Sequence, residues 1–305
     1  MSNTSTSEST TLVCANCGKE GSDVNNECNK CHRVKYCNAA CKKKHRHKHK
    51  NECEMRVAEF HDEKLFKQPP PLEDCPICFL RMPLLGTGKM YMSCCGKVIC
   101  YGCIYAVQSR ATKKEEDICP FCRTPPKSDE EIIKRLEKHM ELNDANAIFN
   151  LGCFYAHGQR GLPQNYAKAL EFYHRAAELG FTNAYYGIGV AYLNGETVER
   201  DTKKAIHYFE LAAMGGDDTA RYRLGVVEGK VGNYDRSMKH WMIAARDGNV
   251  NSLKNIRQLY TNGYATKDEY AKALRSYQAY IDEIKSNQRD EAAAADDGKY
   301  YGSVF

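Results

Sequence analysis

The sequence predicts two small metal-stabilised α+β modules followed by an all-α helical-repeat solenoid. Three observations predict it. Fifteen of the sixteen cysteines, with one histidine, fall into two separate eight-ligand arrays before residue 123. From residue 143 onward a unit repeats at intervals of 36 and 32 residues, each copy carrying a paired helical pattern. The first ten residues are polar and Ser/Thr-rich, and no window holds eighteen consecutive apolar residues, so neither a secretory signal nor a membrane span is expected.

At 305 residues the chain has room for two or three domains. Without an export route its thiols stay reduced, and dense cysteine then points to metal instead of disulfides. The expected location is cytoplasmic, nuclear or both. The formal net charge of +5 invites a nucleic-acid partner. Ligating cysteines bind as thiolates, however. Each four-thiolate zinc site keeps a double negative charge, and a three-thiolate, one-imidazole site keeps a single one. Four such sites bring the folded protein to about −2, so global basicity is no argument for nucleic acid.

The first array reads Cys14-x2-Cys17-x10-Cys28-x2-Cys31-x5-Cys37-x3-Cys41-x7-His49-x3-Cys53. Zinc takes four such ligands, and a two-residue spacer lets two thiolates reach one ion. Cys37/Cys41 and His49/Cys53 are spaced to share one face of a helix. So short a segment has too little core to fold alone, whereas structural zinc contributes on the order of 10–16 kcal/mol per site. The run, with HRVKYCNAACKKKHRHKHKNEC as its second half, resembles a MYND-type zinc finger at every ligand position. The resemblance implies interleaved sites: Cys14, Cys17, Cys37 and Cys41 on one ion, and Cys28, Cys31, His49 and Cys53 on the other. His45 and His47 lack the family's three-residue gap to the last cysteine and are expected to be solvated. Lys42, Lys43, Lys44, Arg46, Lys48 and Lys50 are expected to form a solvated face that offsets the thiolates, with a nuclear-localisation or nucleic-acid patch as the alternative. The resemblance implies short proline-containing peptides as partners.

Leu65 to Glu73, with Pro69, Pro70 and Pro71, is expected to be a stiff linker. The second array comes next: Cys75-Pro-Ile-Cys78, then Cys94-Cys95-Gly-Lys-Val-Ile-Cys100-Tyr-Gly-Cys103, then Cys119-Pro-Phe-Cys122-Arg123. It resembles a cross-brace RING-type finger, which implies Cys75, Cys78, Cys100 and Cys103 on one zinc and Cys94, Cys95, Cys119 and Cys122 on the other. It departs from the common pattern at Lys97, which stands where that family usually has histidine. A protonated lysine cannot ligate zinc. Cys94 must replace it, and two neighbouring residues then need a bent backbone to reach one ion. The resemblance also implies a ubiquitin ligase that holds a conjugating enzyme and its thioester-linked ubiquitin in a reactive arrangement. Ile77, Val107 and Pro120 would contact the conjugating enzyme, with Val107 where many active members carry tryptophan. Arg123 would bridge ubiquitin and its carrier through its planar fork. The alternative is a non-catalytic scaffold in which these side chains only pack a structural module. A methyltransferase is excluded because no SET-like segment fits between Ser128 and Phe305.

Ser128 and Glu131 have capping-box spacing ahead of Ile132, Ile133, Leu136 and Met140, predicting a connecting helix over 128–142 that docks the second module onto the helical region after it. LGCFYAHG, IGVAYLNG and LGVVEGKVG then align, as do AKALEFYHRAAELG, KKAIHYFELAAMGG and RSMKHWMIAARDG. Ala177, Ala213 and Ala245 mark equivalent points, and small residues at fixed places let paired helices approach closely. Gly180, Gly216 and Gly248 suit helix ends. A fourth, weaker copy begins at Asn249, lacks the glycine after Ile256 and is expected to be a terminal cap. These units resemble Sel-1-like repeats, over 143–286, which implies protein partners. Tyr155, Tyr192, Phe172, Tyr208 and Trp241 are expected in the core, and Cys153 reads as a small buried hydrophobe. Residues 1–13 and 287–305 are expected to be disordered.

Overall fold

A computed structural model describes residues 12–69, 73–83, 88–110, 118–125 and 128–295. The chain divides into two compact units, residues 1–67 and 68–305. In the first, strands β1 (Asn26–Glu27) and β2 (Lys35–Tyr36) pair antiparallel, and helix α1 (Ala39–Leu65) comes after them. Asn38 caps α1 by accepting the Cys41 N–H at 2.8 Å. The helix runs well past Cys53, so the closing element of the first array and the segment after it are one rod. The fully buried apolar core is small, built on Cys14, Val24 and Tyr36, as expected for a module held by metal. Leu12 packs against that core and Val13 pairs with Glu20. These two residues therefore depart from the disorder expected over 1–13. Residues 1–11, like 70–72 of the expected linker, lie outside the described residues.

The second unit opens on a hairpin of β3 (Lys89–Met92) and β4 (Lys97–Cys100), in register Lys89↔Cys100 through Met92↔Lys97, and on helix α2 (Tyr101–Gln108). Helix α3 (Asp129–Glu141) starts at Ser128, which accepts the Glu131 N–H. Only half of the expected capping box forms, since the Glu131 carboxylate pairs with Arg135 at 3.4 Å. Ile133 and Leu136 of α3 pack with Leu151 and Tyr91, so α3 does seat the hairpin on the helical array. The Tyr91 hydroxyl donates to Asp144 at 2.6 Å, and the same carboxylate caps the next helix.

Eight helices then form four antiparallel pairs: α4 (Ala145–His157) with α5 (Tyr166–Glu178), and α6 (Asn183–Asn194) with α7 (Thr202–Met214). The other two are α8 (Asp218–Lys230) with α9 (Tyr234–Arg246), and α10 (Val250–Thr261) with α11 (Lys267–Ile284). One glycine in each of the first three pairs explains their close approach, and the fourth pair has none, as expected for its weaker copy. A Cβ on Gly152, Gly189 or Gly225 would stand 2.8, 2.6 or 2.4 Å from the rings of Tyr173, Phe209 and Trp241 respectively. Those three aromatic residues occupy equivalent repeat positions and fill the space the glycines leave. Gly180, Gly216 and Gly248 sit at φ of 88°, 99° and 98°, the left-handed backbone their helix ends require.

Trp241 is core, but Tyr155, Phe172, Tyr192 and Tyr208 are half-buried. Tyr155 stacks on Phe172 under the Lys168 ammonium, and Tyr192 stacks on Tyr208 near Lys204. In the third pair Glu228 and Arg236 occupy the corresponding places and form a 2.6 Å ion pair instead. One cation contact has been exchanged for another. The Tyr173 hydroxyl donates to Cys153 Sγ at 3.7 Å, and burial pushes the Cys153 thiol up to about 12, so it is inert.

The C-terminal end departs from expectation. A complete capping box at Thr266 and Glu269 starts an 18-residue α11. Residues 287–305 were expected to be disordered, but Asn287–Ala295 form helix α12, which packs on α2 with Arg289 and Ala292 buried. An alanine run gains little alone, and docking supplies the stabilisation that local propensity lacks. Residues 296–305 lie outside the described residues. No described helix is long and apolar enough to cross a membrane. Gly225→Ala should overpack Trp241 and lower stability by about 1–3 kcal/mol in thermal or urea unfolding. Gly229→Ala, where the nearest side-chain atom would be Ser237 Oγ at 3.2 Å, should change it by under about 1 kcal/mol.

Candidate metal centres

Four of the Cys-x-x-Cys pairs share one backbone form. The first cysteine's carbonyl accepts from the residue after the second cysteine: Gly18, His32, Phe79 and Arg123 donate to Cys14, Cys28, Cys75 and Cys119 at 2.9, 3.0, 2.9 and 2.9 Å. All four donors have positive φ, at 72°, 53°, 55° and 62°. Only the first is glycine. For the other three the left-handed backbone costs roughly 1–2 kcal/mol, so the loops must be held from outside themselves. The fifth pair differs, because Cys100 precedes and Cys103 lies within the first turn of α2.

The loops and helices converge into four sets whose donor atoms lie within 4.8 Å of one another. They are Cys14, Cys17, Cys37 and Cys41; Cys28, Cys31, His49 and Cys53; Cys75, Cys78, Cys100 and Cys103; and Cys94, Cys95, Cys119 and Cys122. Tetrahedral ligation at about 2.3 Å places sulfurs about 3.8 Å apart. Cys17–Cys37, Cys28–Cys53, Cys78–Cys100, Cys75–Cys103 and Cys95–Cys119 stand at 3.7, 3.6, 3.7, 3.9 and 4.0 Å. His49 presents Nε2 to Cys31 at 3.2 Å, while the Glu52 carboxylate lies 3.5 Å from its Nδ1.

Cys94 reaches the fourth set, 3.4 Å from Cys122. The bend this needs is the β3–β4 turn. The N–H groups of Cys95 and Gly96 both return to the Met92 carbonyl, and Gly96 takes φ 68°. Lys97 instead begins β4, exposed, with its ammonium 5.9 Å from the Phe121 ring centroid.

The electrostatics suit a divalent ion. Burial pushes the Cys14 thiol up, but the N–H groups of Cys37, Cys17 and Asn16 outweigh it and bring it down to about 6. Cys28 reaches about 6 against the same burial, through the N–H groups of Cys31 and Lys30. The Cys100 thiol's hydrogen bond holds Cys75 at about 4 despite burial. Partners move the other way. Burial and then the neighbouring thiols push Cys37 to about 12 and Cys53 to about 11. Each scaffold therefore stabilises a first thiolate, which opposes the next until a cation offsets both. The four sets fit four zinc ions in donor number, donor type and spacing.

Other expectations divide. His47 is exposed, as are Lys43, Lys44, Arg46, Lys48 and Lys50. His45 is not solvated as expected: it is half-buried, 3.2 Å from the Tyr36 hydroxyl and stacked on His49. Lys42 is also turned inward, donating to Asn29 at 2.6 Å and to the Glu27 carbonyl. Ile77 packs against the buried cluster of Cys75, Cys100 and Cys119. Pro120 and Val107 are half-buried, and Arg123 is exposed. Sequence reasoning missed Phe79 and Phe121, which are 76% and 45% exposed on the same two loops. Large apolar residues beside ligands were the available signal.

Comparison with known proteins decides the modules. Residues 14–53 match the MYND finger model, and residues 145–181 and 182–217 match the Sel1 repeat model. The chain carries a MYND finger and Sel1 repeats. It is similar to the ERAD-associated E3 ubiquitin-protein ligase component HRD3B of Arabidopsis thaliana, 33% identical over 113 residues, 37% of this chain and 18% of that protein. It is also similar to the E3 ubiquitin-protein ligase GW2 of Oryza sativa subsp. japonica, 44% identical over 54 residues, 18% of this chain and 12% of that one. The matched segments span a fifth or less of these relatives' length. A Sel1 repeat protein of Oxalobacter formigenes of known crystal structure is 26% identical, covers 64% of this chain and 71% of its own, and aligns with a TM-score of 0.44.

Elemental analysis of the reduced protein should give four zinc ions per chain, and Cys94→Ala should give three. A strong chelator should abolish the ordered MYND finger, while far-UV dichroism retains most of the helical signal of the Sel1 region.

Proposed function

We propose that this chain acts in ubiquitin transfer as a RING-type ligase, with residues 75–123 positioning a charged conjugating enzyme. The observation that carries the reading is the interleaving of the two four-thiol sets between Cys75 and Cys122. It joins the loop of Ile77 and Phe79 to the loop of Pro120 and Phe121 through one buried cluster containing Cys75 and Cys119. Apolar side chains on two metal-braced loops suit a conjugating-enzyme groove, to which half-buried Val107 of α2 would add. Arg123, exposed at the end of the second loop, has a planar fork able to hydrogen-bond two partners at once. No nucleophile of this chain would enter the reaction, since the work is orientation and charge stabilisation of a thioester carried by another protein. Relatives named as ubiquitin ligases support this reading.

The MYND finger and Sel1 repeats would bind the substrate or its peptides. A cytoplasmic or nuclear location, or both, belongs to the same proposal, and thiols used as ligands suit such a reducing compartment. A second reading, a non-catalytic adaptor, is favoured by one observation: HRD3B is named a component of a ligase.

The zinc-loaded protein should build ubiquitin chains with activating enzyme, ATP and at least one member of a broad panel of conjugating enzymes. Ile77→Ala and Arg123→Gly should each lower the rate at least about tenfold, a loss of about 1.4 kcal/mol of transition-state stabilisation, without zinc loss. Glycine is the informative choice at residue 123 because it relaxes the φ of 62° while removing the guanidinium. No chains across the panel would favour the adaptor.

A further inference from the structure

Helix α12 and residue Arg289 have no place in the function above, yet Arg289 is charged and only 8% exposed. Its guanidinium is a hub. Nη1 donates to the Arg81 carbonyl at 2.9 Å and to the Ile284 carbonyl at 2.8 Å. Nη2 stands 3.6 Å from Cys78 Sγ and 3.4 Å from the Leu80 carbonyl. Cys100 is its second sulfur partner. Two members of the third thiol set thus share one cation, from a residue 211 positions beyond Cys78.

Gly102 gives a second, independent observation. It lies between the ligands Cys100 and Cys103, and a Cβ there would stand 2.7 Å from Arg289 Cγ, 2.9 Å from its N and 3.1 Å from its Cα. The ligand loop has therefore kept the one residue that lets α12 lie against it. Arg81, which pairs with Asp74 across the Cys75–Cys78 loop, is anchored to Asp247 at 3.2 Å and Glu283 at 2.7 Å from the end of the solenoid.

We propose that Arg289 is a positioning residue for the metal held by Cys75, Cys78, Cys100 and Cys103, so that the last helix of the chain controls how firmly this one centre keeps its ion. Four thiolates around a divalent cation leave a buried double negative charge, and the guanidinium offsets half of it. Donation from the guanidinium draws off part of that charge at the sulfurs it meets and holds Cys78 in its place in the set. Arginine fits because its fork serves three carbonyls and the ligand sulfurs from one plane. The proposal concerns metal retention and stands whether or not the protein transfers ubiquitin.

The test uses the full chain loaded with zinc and follows release to the chromogenic chelator 4-(2-pyridylazo)resorcinol. Arg289→Met should release one of four equivalents at least about tenfold faster, with the other three at the wild-type rate. Arg289→Lys, which keeps the charge without the fork, should recover part of the difference. Gly102→Val should reproduce the selective release with Arg289 intact, and it decides the question together with Arg289→Lys if the methionine variant does not fold. In the cobalt-substituted protein, Arg289→Met should move the sulfur-to-cobalt charge-transfer absorption of one centre to lower energy, which a purely structural role would not do. Unchanged release and spectrum in the folded variant would overturn the proposal. So would equal acceleration of all four centres, or a wild-type protein in which Cys75, Cys78, Cys100 and Cys103 bind no zinc.

Discussion

Repulsion between crowded thiolates, and its relief by a divalent cation, is the constraint on which residues 14–122 depend. Each set gathers four soft donors within 4.8 Å, an arrangement that neither hydrophobic burial nor strand pairing would hold. The strands beside them are two to four residues long, and the buried apolar clusters are built largely from the cysteines themselves. Three non-glycine residues accept a left-handed backbone so that the ligand loops close. Metal binding worth on the order of 10 kcal/mol per site is large enough to carry that strain and the ordering of short loops.

The solenoid obeys another rule. Its first three pairs close because glycine on one helix receives an aromatic ring from the next, and this repeats at Gly152/Tyr173, Gly189/Phe209 and Gly225/Trp241. Nearest-neighbour packing of this kind gives a rigid array whose ends must be finished separately. At the N-terminal end the finish is α3 with the β3–β4 hairpin, joined through Tyr91 and Asp144. At the C-terminal end it is α11 and α12, which return to the ligand loop around Cys78 and to α2. The second metal module is thereby held at both ends of the solenoid, whereas residues 1–67 form a unit of their own.

Such a mounting suits the orienting role proposed above. A module that presents a partner in a fixed pose gains from being rigid, because an error of about 1 Å in placement can cost about a hundredfold in rate. Arg81 and Arg289 supply that rigidity from the side of Cys78, and Tyr91 supplies it from the hairpin.

Cysteine spacing and the repeat period by themselves determined the modular order, the ligand residues and the helix pairing, because each is a local pattern, whereas the division of the ligands into interleaved sets was what the resemblance to MYND and RING fingers implied. The same logic placed Cys94 as a ligand once Lys97 was excluded, and the Met92 turn shows how the chain reaches that geometry. Tertiary structure alone decided the rest. Residues 287–295 read as a weak alanine run and were expected to be disordered, but the pocket beside Gly102 gives that run a partner. Likewise Glu131 left its cap for Arg135, and His45 turned to Tyr36. In each case a contact distant in sequence or a competing neighbour outweighed a local preference worth about 1 kcal/mol, and no spacing rule records which neighbour that will be.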